Sequence, residues 1–299
     1  MDWVNTAILS TAIMAVVNIL DSHLLSKRMP SLQAFLLPVG IIYLACGCLL
    51  LALFPLPQGV GTWPVLAAVA SGILRTAAAA IMLDSLRREE VSRVVPVVYT
   101  YPIFVAIMAT ALLGESLRCL QWLAIIIVVA GAVLVSMTQG SSGSIRWRGR
   151  LLILFSASLL FGMADIAAKY ALAYISFWNV FCLSAFSMSG LFLSVSVRPQ
   201  VVEQVIKMER RKSAMGLLAF DATLAPVGTT LAFWALERGP VSLVSTIISS
   251  RPMFVLVAAL ILSRLAPMFL EWRYGKWPLA MRVIATAMIV SGIVIIHLV

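Results

Sequence analysis

Long apolar runs are the feature of this chain that most limits how it can fold. Ten runs follow one another, each bounded to within a few residues: 3–20, 31–54, 64–84, 94–113, 119–138, 151–172, 176–197, 213–235, 241–263 and 278–298. A helix needs ~20 apolar residues to cross a bilayer, whereas a barrel strand needs only ~10. We therefore predict an all-α integral membrane protein with ten transmembrane helices.

The charge content supports a membrane fold over a soluble one. Charged residues make up 11% of the 299 residues, and hydrophobic residues make up 62%. A soluble domain carries ~25% charged residues, because its surface must be hydrated. The net charge of +10 does not indicate nucleic acid as a partner, since the basic residues lie in short loops and form no continuous basic face.

The distribution of basic residues predicts an orientation. The loops and helix ends after the odd-numbered runs carry seventeen Lys and Arg residues, whereas those after the even-numbered runs carry only Arg118 and Arg238. Lys and Arg are retained in the cytoplasm during membrane insertion. We therefore expect a multi-pass protein of a bacterial-type inner (plasma) membrane with both termini outside. The first run lacks a basic segment before it and a cleavage site after it, so we expect a span and no signal peptide.

One stretch of the chain occurs twice. Residues 86–112 and 236–262 align without gaps and are identical at ten of 27 positions. The matches include Pro102 with Pro252, and a proline inside an apolar run is not explained by apolar composition. A flexible Gly/Ser and basic connector at 139–150 separates a first half, 1–138, from a second half, 151–299. Because each half has five spans, equivalent helices run in opposite directions, which is an inverted repeat.

The repeated motifs resemble those of a known family. Runs 4 and 9 share a Val-Ser start and a Pro-x-Phe-Val core, and run 4 ends in Leu113-Gly114-Glu115. These features resemble the EamA family of the drug/metabolite transporter superfamily. In the second half Ser263-Arg264-Leu265 stands where the Leu-Gly-Glu ending is expected. The resemblance implies two EamA-like five-helix repeats and a transporter (permease) fold, and it leaves the cargo open.

Several charged side chains fall inside the predicted spans. A charge at the centre of a membrane helix costs at least ~2.5 kcal/mol, so each of these residues needs a partner or a functional purpose. The six candidates are Asp21, Arg75, Asp165, Lys169, Asp221 and Arg251.

Arg251 is the first candidate for binding cargo, because it immediately precedes Pro252 near the middle of run 9. Proline removes a backbone hydrogen bond, so a free carbonyl and the guanidinium are presented together. Tyr101 precedes Pro102 at the equivalent place in the first half. Arg251 and Tyr101 facing each other could bind a carboxylate or a phosphate. The alternative is that Arg251 only neutralises an acidic neighbour.

The other charges admit two interpretations each. Arg75 and Asp221 lie one turn apart in the repeat alignment, and we expect them to form either an ion pair between the halves or part of a binding site. Asp165 and Lys169 are four positions apart and are predicted to pair along one helix face. Asp165 and Asp221 are also the candidates for proton coupling, since a desolvated carboxylate can carry a proton.

Polar side chains add a second layer to the predicted site. Tyr99 in run 4, and Ser242, Ser245 and Ser249 on one face of run 9, lie beside the central residues. Such a serine stripe either joins helices or lines a cavity, and its continuation into Arg251 favours a cavity. The predicted substrate-binding set is Arg251, Arg75, Tyr101, Asp221, Ser249 and Tyr99.

No pattern in the sequence indicates catalysis, a cofactor or a metal site. There is no nucleotide-binding glycine loop and no His-rich or Asp-rich set. We predict a secondary active transporter that moves a small polar, anionic or zwitterionic metabolite by alternating access, with solute and membrane lipid as partners. A homodimer remains compatible with the sequence. The alternative is a flippase of a phosphate-bearing lipid or lipid-linked intermediate, or an accessory membrane subunit.

Overall fold

The described part of the chain consists of helices joined by short connections. The structure is a computed structural model, and it describes residues 2–88, 94, 97–137, 148–208, 211–265 and 279–298. The helices are α1 (Trp3–His23), α2 (Leu32–Leu53), α3 (Thr62–Arg88), α4 (Tyr101–Leu112), α5 (Cys119–Met137), α6 (Arg148–Leu172), α7 (Phe177–Ser196), α8 (Pro199–Ile206), α9 (Arg211–Arg238), α10 (Val241–Ser249), α11 (Arg251–Leu265) and α12 (Leu279–Leu298). A π-helical turn, Leu24–Arg28, follows α1.

The helices coincide with the predicted apolar runs. In the part of the chain that the structure describes, seven stretches are long and apolar enough to cross a membrane: Trp3–His23, Leu32–Leu53, Thr62–Ser85, Leu152–Leu172, Phe177–Ser196, Ala214–Arg238 and Val241–Ala258. Three shorter apolar helices are Tyr101–Leu112, Cys119–Val135 and Val283–Leu298. Within the described residues no strand occurs. The architecture agrees with an all-α multi-pass membrane protein, while most of the predicted connector at 139–150 lies outside the described residues.

A short amphipathic helix, α8, lies between runs 7 and 8. Val201 and Val205 are buried against Ala34 of α2, whereas Glu203 and Lys207 are exposed and form an ion pair. The helix begins at Pro199, whose fixed φ suits the first turn.

Runs 4 and 9 are interrupted at equivalent positions. The Thr100 amide donates to the Val97 carbonyl at 3.3 Å, and the Ser250 amide donates to the Ile247 carbonyl at 3.1 Å. The hydroxyl groups of Thr100 and Ser250 donate to the same two carbonyls, each at 2.6 Å. A proline two residues after each hydroxyl residue cannot donate a backbone hydrogen bond, so the chain turns and a new helix starts at Tyr101 or Arg251.

Helix packing pairs the two halves of the chain. Helix α3 packs on α6, and α1 packs on α9, while α4 contacts α6 and the α10–α11 pair contacts α1. Further contacts between the halves join α2 and α3 with α7, α5 with α12, and α4 with α10. When both helices of a pair are shifted by five runs, the result is another observed pair or the same pair. The contact of runs 3 and 6, for example, becomes the contact of runs 8 and 1. The structural core therefore lies between the halves and not within either one.

Glycines allow two of these helix pairs to approach closely. A Cβ atom on Gly72 would lie 2.7 Å from the Ser184 Cα of α7. A Cβ atom on Gly131 would lie 2.8 Å from Ile289, and one on Gly292 would lie 2.4 Å from Val128. Small residues at such contacts let membrane helices pack by van der Waals interactions.

Candidate functional site

Arg75 and Asp165 form an ion pair at the contact of α3 with α6. One amino group of the Arg75 guanidinium donates to the Asp165 Oδ1 at 2.7 Å, and the Ser245 hydroxyl donates to the Asp165 Oδ2 at 2.6 Å. The Asp165 side chain is 4% exposed and the Arg75 side chain is 31% exposed. The predicted pairing of Arg75 with Asp221 is therefore wrong, because Arg75 meets α9 at Phe233, about three turns along the helix from Asp221, and pairs with Asp165 of α6.

Aromatic groups surround this ion pair. The Tyr101 hydroxyl donates to the Ser245 carbonyl at 3.1 Å, and its ring lies 6.0 Å from that of Phe161. The Arg75 guanidinium lies over the Phe233 ring, 5.5 Å from its centroid. Tyr101 and Arg75 therefore belong to one network of hydrogen bonds that joins α3, α4, α6 and α10. Tyr101 is held by the backbone of α10, and it keeps an oxygen lone pair that can accept a hydrogen bond.

Lys169 does not pair with Asp165, so the predicted local pair on α6 is also wrong. The Lys169 ammonium donates to the carbonyls of Leu236 at 2.7 Å and Gly239 at 2.8 Å, at the end of α9. Carbonyls at a helix C-terminus have no partner within the helix and carry partial negative charge, so they attract a cation. Lys169 therefore ties α6 to the end of α9.

Glu115 makes a contact between the two halves that the sequence did not predict. Its carboxylate accepts from the Val241 amide at 2.6 Å, the Ser242 amide at 3.4 Å and the Ser242 hydroxyl at 2.6 Å. These are the free amide groups at the start of α10, where a negative charge is favourable. The Leu-Gly-Glu ending of one half thus caps the Val-Ser start of the other half.

Asp21 and Asp221 lie together at the contact of α1 with α9. Met14 of α1 lies against Gly228 of α9, and seven residues further along each antiparallel helix Asp21 and Asp221 come to the same level of the contact. The Arg251 guanidinium is close enough to act electrostatically on Asp21. Asp221 is 3% exposed and its Oδ1 has no hydrogen-bond donor, while Asp21 is half-buried. The Tyr43 hydroxyl of α2 lies beside the Thr229 side chain and interacts electrostatically with both carboxyl groups.

Arg251 begins α11 at the interruption of run 9. The residue is half-buried, and its Nε is buried without a hydrogen-bond partner. The structure therefore brings Arg251 near Asp21, and it places Arg75, Tyr101 and Asp165 in one network. Within the described residues, no three His, Cys, Asp or Glu side chains group in a way that would hold a metal ion.

The serine stripe of α10 joins helices at two of its three positions. Ser242 bonds Glu115 and Ser245 bonds Asp165, whereas the buried Ser249 donates to the Thr246 carbonyl of its own helix at 2.7 Å. Tyr99 is buried just before α4. The predicted cavity lining is therefore replaced by helix contacts at Ser242 and Ser245.

Comparison with known proteins relates the first half of the chain to a family. Residues 2–137 match the EamA-like transporter family. The first half of the chain is similar to that family. The match covers the first half, including Arg75, Tyr101 and the Leu-Gly-Glu ending at Glu115, and it confirms the resemblance seen in the sequence. EamA-like proteins are part of the drug/metabolite transporter superfamily, so the match supports a membrane transporter.

The fold has a counterpart among solved structures. A protein crystal structure with 20% sequence identity covers 98% of this chain and 98% of its own length, with a TM-score of 0.67. Similarity at this identity shows the fold alone. No curated protein matches the chain. The EamA assignment therefore rests on the first half, and the shared fold extends over almost the whole chain.

Proposed function

We propose that the protein is a secondary active transporter of the plasma membrane, built from ten membrane spans in two inverted five-helix repeats. Two observations support the repeat: the same turn recurs at Thr100 and Ser250, and helix pairs between the halves recur five runs apart. Inverted repeats move by rocking about a site at their interface, which is alternating access. The positions of the basic loops favour both termini outside.

The proposed cargo is a small anionic or zwitterionic metabolite, and Arg251 carries this proposal. Its Nε is buried yet lacks a hydrogen-bond partner. A buried unpaired donor costs ~1–3 kcal/mol, so an anion that bonds the guanidinium removes a penalty present in the empty protein. The start of α11 adds to the attraction, because the N-terminus of a helix carries partial positive charge.

The remaining site residues take different places in this proposal. Arg75 is neutralised by Asp165 but remains 31% exposed, so it can still contribute a donor. Tyr101 and Tyr99 border the turn that precedes α4, and Ser249 lies two residues before Arg251. Asp221 is buried, and its carboxyl group suits the ammonium group of a zwitterion.

Thermal stabilisation of the purified protein tests the cargo class. The panel consists of amino acids, organic acids, sugar phosphates, organic cations and lipid phosphates. A ligand at 100 times its Kd adds ~2.7 kcal/mol to the folded state, which is a measurable shift. Arg251→Gln removes the charge and keeps much of the side-chain length, and Arg198→Gln is the matched control because Arg198 is exposed at the start of α8.

We expect amino acids or organic acids to stabilise the parent protein and the Arg198→Gln variant, and to lose this effect in Arg251→Gln. The same compounds should exchange across proteoliposome membranes in a counterflow assay. Stabilisation that survives in Arg251→Gln would remove Arg251 from the site. Stabilisation by lipid phosphates alone, with movement of labelled lipid, would replace the transporter by the flippase.

A further inference from the structure

The contact of Asp21 with Asp221 has a counterpart elsewhere in the fold. In the repeat, α1 is equivalent to α6 and α9 is equivalent to α3. The contact of α1 with α9 is therefore equivalent to the contact of α6 with α3. At α3 and α6 the buried groups are oppositely charged, Arg75 with Asp165. At α1 and α9, the contacts of Trp3 with Gly239 and of Met14 with Gly228 set an antiparallel register in which two carboxyl groups, those of Asp21 and Asp221, lie at one level. Like charges in contact need a further positive charge between them.

Ionisation of both carboxyl groups is disfavoured, because their mutual repulsion adds to the loss of hydration at the buried Asp221. A proton held by one carboxyl group removes the repulsion and creates a donor toward the other. The Asp221 Oδ1, buried without a donor, marks an acceptor that is still unfilled. The arrangement resembles paired carboxylates in general, where one proton serves two groups.

The groups around the pair allow one proton and disfavour a second. Arg251 of α11 faces Asp21 and stabilises one negative charge. Tyr43 of α2 faces both carboxyl groups as a neutral hydroxyl, with Cys46 one turn further along α2. His23 and Arg28, beyond the end of α1, bond each other at 3.5 Å. One guanidinium, two carboxyl groups and one proton give a neutral cluster.

We propose that Asp21 and Asp221 form a single proton-binding site in which one proton is shared by the two carboxyl groups beside Arg251. The proton leaves to water when the pair separates, and a carboxylate and a hydrated proton result. The proton site deepens the proposed transport function. Its use in coupling rests on that function, whereas the presence of the proton does not.

Infrared difference spectroscopy of the purified protein in lipid nanodiscs tests the proposal without any cargo. The probe is the proton itself, titrated through neutral pH. We expect the carbonyl stretch of a protonated carboxyl group, shifted by isotope-labelled aspartate and lost in Asp21→Asn and in Asp221→Asn. Asp2→Asn is the matched control, since Asp2 is an exposed carboxylate just before the same helix. Asp21→Glu and Asp221→Glu keep a shared proton and should shift the band without removing it.

Other results would overturn the proposal. Absence of the band in the parent protein at neutral pH means that no proton is held, and loss of the band only in Asp165→Asn places the proton elsewhere. A band seen in choline salts but not in sodium salts identifies a sodium site instead. Because no cargo is used, a protein that shows the band but transports nothing contradicts the proposed function alone.

Discussion

The ion pair of Arg75 and Asp165 predicts unequal costs for its two partners. The Asp165 side chain is 4% exposed, so without Arg75 its charge stays buried with one hydroxyl donor from Ser245. Breaking a buried pair in this way costs ~3–5 kcal/mol. The Arg75 side chain is 31% exposed and can turn toward water when Asp165 is neutral. We expect this second loss to be smaller, ~1–3 kcal/mol.

The variants Arg75→Met and Asp165→Asn, alone and combined, measure this difference. The free energy of unfolding comes from reversible denaturation of the purified protein by SDS in mixed micelles. The double variant should lose less stability than the sum of the single variants, with a coupling of about 0.5–3 kcal/mol, the range found for residues in one network. The control combines Arg75→Met with Asp221→Asn, where no pair forms, and its effects should add.

Three outcomes would refute this reasoning. Additive effects for Arg75 and Asp165 would mean that the pair does not exist in the folded protein. Coupling of Arg75 to Asp221 instead would restore the arrangement that the sequence alone predicts. A larger cost for Asp165→Asn than for Arg75→Met would show that exposure does not govern the penalty. The same denaturation assay applies to each variant, so the comparison does not depend on an absolute stability.

Other contacts give further predictions under the same assay. Glu115→Gln weakens the cap of α10 and should lower the free energy of unfolding by ~1–2 kcal/mol. The control Glu203→Gln breaks an exposed pair and should lower it by less than ~1 kcal/mol. Equal losses of stability would contradict the cap. Gly72→Ala meets the backbone of α7 and should cost ~1–3 kcal/mol, whereas Gly190→Ala enters open space in a helix and should gain up to ~1 kcal/mol. Lys169→Met leaves the carbonyls at the end of α9 without a donor, so ~1–3 kcal/mol should be lost, and an unchanged midpoint would refute that contact.

The course of the helices follows from the sequence because hydrophobic length and proline act locally. Each apolar run became a helix, and Pro102 and Pro252 marked the two interruptions, since the missing amide is a property of the residue itself. Within the repeat of 86–112 in 236–262 the structure has equivalent turns, formed by the bonds of Thr100 and Ser250, where the sequence predicted uninterrupted spans.

The partners of the buried charges could not be derived in the same way. Helical spacing put Lys169 beside Asp165, but it does not reveal the unbonded carbonyls at the end of α9 that lie closer to the ammonium. The pairing of Arg75 depends on the rotation of α3 against α6, which apolar faces on all sides leave undetermined. Glu115 and the Val-Ser start of run 9 were each visible as motifs, yet their contact exists only after the halves pack.

The placement of charge shows how a duplicated fold can become functionally unequal. Equivalent helix pairs supply equivalent backbone positions, so a difference between them comes from side chains alone. At α3 and α6 an arginine and an aspartate neutralise each other and join the halves. At α1 and α9 two aspartates meet, and Arg251 leaves them one positive charge short. The first arrangement is neutral without a ligand, whereas the second, in the proposal above, changes its charge when a proton binds or leaves. A transporter needs both, because one interface must hold the halves together while the other responds to what is bound.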